Sequence, residues 1–166
     1  LSGVSVPMSE ADELDELFRA EFTRLVRGLA VAYGVDAAAD AVQDAFLAAH
    51  RRWRKVRGLD DPAGWVRRVA LNRLMNGRRN RARRTRILES LRPVEIEVLP
   101  AATIDLHEAV NALPERMRLA VCLHHLSGFT VAEVADSLGV SPGTVKSNLH
   151  DARTKLRQAL GDDLHV

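Results

Sequence analysis

Apolar residues recur at three- and four-residue intervals along most of this chain, and residues that start or stop helices bound each such run. Leu14, Leu17, Phe18, Phe22, Leu25, Val26 and Leu29 form the stripe of a first helix ending near Gly34. Asp36 is placed to cap a second helix, in which Ala38, Ala41, Val42, Ala45, Phe46, Ala49 and Trp53 turn inward. A third begins at Pro62 behind Asp60 and Asp61 and buries Trp65, Val66, Val69, Ala70 and Leu74. The period lapses between Ile87 and Ala102, where Pro93, Pro100, Glu89, Glu95 and Glu97 predict an extended acidic tether. It resumes near Asp105 with Leu106, Val110 and Leu113, and Pro114 opens a further helix through Met117, Val121 and Leu123 that stops at Gly128. No segment alternates as a strand would. The pattern predicts an all-α chain of two small helical domains, residues 9–88 and 103–162, joined by a linker over residues 89–102.

The densest signal lies near the end. Thr130 with Glu133 is a capping box, and Val131, Val134, Ala135 and Leu138 follow at helical spacing up to Gly139, where a left-handed turn is due. Ser141 then caps a second helix that has Pro142 at its first position. Val145, Leu149, Ala152 and Leu156 face inward, which leaves Ser141, Gly143, Thr144, Lys146, Ser147, His150 and Arg153 outward near the end that would enter a major groove. Paired helices with a tight turn also occur without DNA. The short Leu-Gly-Val-Ser-Pro connection and the small, cationic outer face favour a helix-turn-helix that binds DNA.

Charge sharpens this reading once it is resolved along the sequence. The 166 residues carry a net charge of only +2. Residues 51–92, however, hold fifteen Lys or Arg against Asp60, Asp61 and Glu89, whereas the flanking segments are both net acidic. So dense a basic block, interleaved with apolar residues, seeks a polyanion. On the third helix Arg68, Asn72, Asn76, Arg79 and Arg83 share the polar side. Asparagine is a poor interior helix former, but its amide can read an adenine edge or hold an unstacked base while arginines fix phosphates. On the second helix Asp40, Gln43, Asp44 and Leu47 line up at i, i+3, i+4 and i+7. That mixture of carboxylates, amide and apolar contact suits a basic protein surface better than phosphate.

These segments together resemble the extracytoplasmic-function (ECF) sigma factors, group 4 of the bacterial sigma-70 family, over nearly the whole chain after Met8. Asp40-Ala-Val-Gln-Asp-Ala-Phe-Leu is similar to the family's core-binding helix, and Trp65-Val-Arg-Arg-Val-Ala-Leu-Asn-Arg-Leu-Met-Asn to its −10 reading helix. Leu113-Pro-Glu-Arg, Thr130-Val-Ala-Glu-Val-Ala and Gly143-Thr-Val-Lys-Ser are similar to its −35 reading domain. The resemblance implies a sigma2-like bundle and a sigma4-like domain that dock on RNA polymerase core, at the β′ clamp and β flap, and then recognise and open a promoter. It implies that Asp40, Gln43, Asp44 and Leu47 meet the core and that Asn72 and Asn76 contact the non-template −10 strand. It also implies that the Lys55–Pro62 loop pockets an extruded base. The chain departs from the family at Asn148 and Asp151, where two cations are common. An Asp near phosphate repels, so −35 binding is either weakened or shifted in register. Anti-sigma partners are frequent in the family, and no residue here decides whether this chain has one.

Other constellations carry no chemistry. Cys122, His124 and His125 lack a metal-ligand spacing, Asp60 and Asp61 sit where a helix begins, and Gly58, Gly64 and Gly77 are isolated. Neither cofactor nor catalysis is expected. A lone cysteine and the absence of a signal peptide or a membrane-spanning run predict a soluble, cytoplasmic protein, and the resemblance implies association with the nucleoid when in holoenzyme. Trp53 and Trp65 fall on apolar stripes and are expected in the core rather than as stacking platforms. Two other readings compete: a two-domain regulator that closes promoters as a dimer, and an interaction protein without productive DNA binding. Neither needs both the basic block and the Asp40–Phe46 motif, and co-elution with core polymerase separates them from a sigma factor.

Overall fold

The computed structural model describes residues 6–88 and 101–161, with side chains over 6–77 and 105–161; of the expected tether, residues 89–102, residues 89–100 lie outside the described residues and residues 101–102 begin a helix. Among the described residues every regular element is helical: α1 (Glu10–Tyr33), α2 (Val35–Arg51), α3 (Trp53–Val56), α4 (Pro62–Leu88), α5 (Ala101–Asn111), α6 (Glu115–Val121), α7 (Val131–Leu138) and α8 (Pro142–Leu160). The fold is all-α, as the periodicity predicts.

Local chemistry sets most helix ends. Ser9 and Asp12 form a reciprocal capping box on α1, and Thr130 and Glu133 form another on α7, where Thr130 N donates to the glutamate at 2.8 Å. Asp61 Oδ1 accepts from Gly64 N at 2.9 Å at the start of α4, and Ser141 Oγ accepts from Thr144 N at 3.1 Å at the start of α8. Gly139 takes the left-handed conformation at φ 66° between α7 and α8, so the helix-turn-helix forms as its sequence dictates. Asp36 does not cap α2. Gly34 at φ 89° serves both helix ends, and Asp36 lies inside the first turn of α2, where its charge still favours the helix dipole. Trp53 also falls beyond α2: the chain breaks at Arg52 and starts the single turn of α3. After α6 the helix widens into a π turn over Cys122–Leu126, closed by Ser127 N donating to the Cys122 carbonyl at 3.0 Å.

Helices α1, α2 and α4 pack as one group and α5 to α8 as another, and the two groups lie against each other. Helix α1 meets the π turn while α7 lies on α4, so Leu25, Leu29, Val42 and Val66 belong to one continuous core with Leu119, Leu123, Val134 and Val145. The closed packing is a finding beyond the sequence pattern, which separates the groups without placing them.

Where the groups meet, Arg67 of α4 is 1% exposed. Its guanidinium donates to Glu21 at 3.4 Å, to Asp61 at 3.0 Å and to Ser137 at 3.3 Å, and its Cζ lies 4.8 Å from the centre of the Phe129 ring. Burial of a charge is tolerated here because partners occupy each branch of the fork. Arg67→Ala leaves the buried Glu21 without this counter-charge and is expected to cost about 3–5 kcal/mol. Urea unfolding followed by circular dichroism measures it; a loss below about 1 kcal/mol would place Arg67 among ordinary surface cations.

Candidate docking and nucleic-acid faces

Asp40, Gln43, Asp44 and Leu47 are all exposed on α2, Leu47 to 48%, because Ala38, Ala41, Val42, Ala45, Phe46 and Ala49 take the opposite side into the core. Asp44 accepts from Arg73 of α4 at 2.9 Å. This bridge joins the α2 stripe to the neighbouring helix, and Asp40, Asp44, Arg73 and Asn76 line one cleft. Phe18 adds an apolar element that the pattern does not single out. It is 38% exposed, stacks on Phe22 at 4.7 Å and meets Phe46 edge-on at 5.0 Å. Its place in the α1 stripe conceals this, since periodicity does not say where a stripe runs off the core.

On α4, Arg68, Asn72 and Asn76 are exposed one turn apart and form a single face. The side chains of Arg79 and Arg83 lie outside the described residues, although the helix backbone continues through Leu88. Arg68 pairs with Asp136 of α7 at 3.3 Å, so the helix-turn-helix reaches the start of this face. Ahead of α4, Arg57 ties its loop to Glu10 at 2.9 Å and to Glu13 at 2.6 Å. Trp53 is 8% exposed and belongs to the core, as expected, while Trp65 is half-buried.

The outer face of the helix-turn-helix holds every residue expected there. Ser141, Gly143, Thr144, Lys146, Ser147, His150 and Arg153 are exposed, with Val145, Ala152 and Leu156 buried beneath them. Among the described residues no carboxylate pairs with Lys146 or Arg153, so both cations are open to phosphate. Asp151 is exposed on the same helix and Asn148 is half-buried. Cys122 is buried in the π turn. His124 Nδ1 donates to the Phe129 carbonyl at 2.7 Å, and His125 lies edge-on to His124 at 4.9 Å. Burial, then His124 and Arg153, lower the pKa of His125.

Comparison with known proteins matches both groups to one family. The model for sigma-70 region 2 matches residues 18–84, and that for sigma-70, region 4 matches residues 103–156. The ECF RNA polymerase sigma factor SigM of Mycobacterium tuberculosis is 35% identical over 150 residues, covering 89% of this chain and 76% of the relative. The RNA polymerase sigma-E factor of Streptomyces coelicolor is 31% identical over 166 residues, covering 92% and 89%. Among solved structures, the sigma factor RpoE in complex with the anti-sigma factor NepR from Bartonella quintana aligns with TM-score 0.72 at 24% identity, over 92% of this chain and 99% of that one. CnrH in complex with the cytosolic domain of CnrY aligns with TM-score 0.61 at 25% identity, over 91% and 89%.

Burial pushes the Cys122 thiol up from 9.0 to about 12. The folded state therefore holds its proton where the unfolded state releases it. The resulting stability is present in full below pH 9.0 and is lost as pH rises toward about 12. Cys122→Ala should flatten that decline relative to the parent chain, and iodoacetamide at pH 8 should label Cys122 only as fast as the protein unfolds. Rapid labelling of the folded chain would contradict the buried placement.

Proposed function

The chain belongs to the extracytoplasmic-function group of the bacterial sigma-70 family, and from that premise we propose that α2 docks on RNA polymerase core, α4 reads the −10 element and α8 reads the −35 element. As a sigma factor the protein directs promoter recognition and transcription initiation. In this reading residues 9–88 form the core-binding and −10 unit, residues 89–102 the linker, and residues 103–162 the −35 unit. It acts as a specificity subunit in the cytoplasm, on the nucleoid when in holoenzyme, while nucleotide addition stays with the polymerase. Among the described residues no helix is long and apolar enough to cross a membrane.

One observation carries the assignment of roles. The exposed Asp40, Gln43, Asp44 and Leu47 stripe and the Arg68, Asn72 and Asn76 face stand on adjacent helices linked by the Asp44–Arg73 bridge. Docking through α2 then fixes α4 against the polymerase, where a separated strand can lie along it. Arginines there hold phosphates while the two asparagines meet bases, and Arg79 and Arg83 extend the cationic run along the helix. On α8, Thr144, Lys146, Ser147, His150 and Arg153 present donors to a major groove, with Ser141 and Gly143 at the helix N-terminus close to phosphate.

Gel filtration with purified core polymerase, followed by promoter-selective transcription, tests the reading. The Gln43→Ala, Asp44→Ala double variant should keep its helicity, since an exposed ion pair contributes at most about 1 kcal/mol. It should nevertheless elute apart from the core at concentrations where the parent chain co-elutes. Normal co-elution would remove α2 from the docking surface.

Asp151 provides a second test. If α8 lies in the −35 groove, Asp151 opposes the phosphates that Lys146 and Arg153 approach. Asp151→Arg should then tighten binding to a −35 duplex by on the order of 1 kcal/mol at low salt and steepen the salt dependence. Lys146→Ala should act in the opposite direction. Fluorescence anisotropy across a salt series measures both, and unchanged affinity in both variants would exclude this docking.

A further inference from the structure

A cavity of about 290 Å³ lies between α5, the π turn and α8, with Val31 of α1 at its back. Leu106, Val110, Val121, Leu126, Leu149 and Leu156 make its walls. Leu106 and Leu126 are 38% and 39% exposed, so large apolar side chains here face open space instead of packing. The π turn contributes directly, because it sets His125 and Leu126 in the wall, and such widened turns are frequent at functional sites. An apolar cavity of about 150 Å³ holds a six-carbon ring, so this one has room for about twelve non-hydrogen atoms.

The ionisable residues around the cavity are all of one kind. His107, His125, Arg153 and Arg157 line it, and among the described residues no carboxylate does. Neither arginine has an ion-pair partner among those residues. Burial, then His124 and Arg153, disfavour a proton on His125, which marks an excess of positive charge at this spot. Arg153 and Arg157 stand one turn apart on one face of α8, where both can reach a single anion. An apolar pocket with a few convergent polar groups is the form of a small-ligand site. We infer that this cavity binds a single-chain carboxylic acid of about ten carbons, its tail among the leucines and its carboxylate between Arg153 and Arg157. Arg153 also belongs to the outward set of α8, so a bound carboxylate takes up a cation proposed to meet −35 phosphate. That coupling rests on the sigma-factor reading, whereas the site itself does not.

Titration calorimetry of the full chain with decanoate tests the site, with decyltrimethylammonium as the same tail under a cationic head. Decanoate should bind at one site with a Kd on the order of 10–100 μM, in keeping with a ligand of about twelve non-hydrogen atoms, and the cationic amphiphile should not. Leu106→Trp, at a partly exposed wall position, should fill the cavity and abolish binding at unchanged helicity. Arg157→Gln should weaken binding roughly tenfold by removing one charged partner of the carboxylate, and it decides the matter should the tryptophan variant not fold. Neither residue belongs to the proposed docking or DNA faces. Absence of decanoate binding would overturn the site, as would equal binding of both head groups or undiminished binding by both variants. Fluorescence anisotropy with a −35 duplex then reads the coupling. Saturating decanoate should weaken duplex binding by up to about fivefold and lower the salt slope by about one contact. Decanoate that binds without this effect would overturn the coupling and leave the site and the sigma-factor reading intact. Failure of the ligand-free chain to bind the duplex would instead count against the sigma-factor reading, with calorimetry still deciding whether the site exists.

Discussion

A guanidinium buried at the meeting point of both helical groups sets the geometry on which the rest depends. Arg67 reaches Glu21 on α1, Asp61 ahead of α4, Ser137 on α7 and the ring of Phe129 after the π turn. A charge this deep needs its partners in place, so it demands that four separate pieces of chain arrive in register. Once they do, α4 is fixed about its axis. Arg67 points into the junction, and the residues that share the other side of the helix, Arg68, Asn72 and Asn76, are held outward. The orientation of the candidate −10 face thus follows from how its neighbour is buried.

Helix α1 is the second support, because it packs on both helical groups within the one continuous core. Leu25 and Leu29 are wholly buried, and Gly28 between them lets the π turn approach the backbone more closely than any side chain would allow. One helix therefore braces α2, with its exposed stripe, and also receives the second group. Beside the apolar core that runs through the junction, Arg24, Arg67 and Arg68 bond across it to backbone carbonyls, a hydroxyl and a carboxylate.

Features written in neighbouring residues are legible in the sequence itself. The capping box at Thr130, the glycine at 139, the serine cap at 141 and the alternation of inward and outward positions on α2 and α8 are local, and each stands where the pattern puts it. The exposed stripes follow from the same periodicity. Arg67 does not, since in sequence it is one cation among fifteen in a basic block, and its burial depends on Glu21 and Ser137, which lie far away along the chain. Gly28 carries no local signal within α1, and the π turn needs Ser127 and Phe129 to return to Cys122 and Leu123. The misplaced cap at Asp36 has a simpler cause: Gly34, two residues earlier, already supplies the turn. Long-range partners decide Arg67 and Gly28, and the π turn rests on bonds five and six residues back rather than four, so helical period and propensity contain no record of them.

If α4 and α8 read the −10 and −35 elements as proposed, the groups that pack against each other must separate on promoter DNA. The most direct measurement is the distance between fluorophores on Asp15→Cys of α1 and Gln158→Cys of α8, both exposed positions, in the free chain and in holoenzyme on promoter DNA. High transfer efficiency is predicted in the free chain, with the pair inside a molecule of about 40 Å, and near loss of transfer as the units separate toward about 85 Å on the promoter. High efficiency retained in a holoenzyme active in transcription would contradict this opening, and low efficiency in the free chain would contradict the closed state from which it starts.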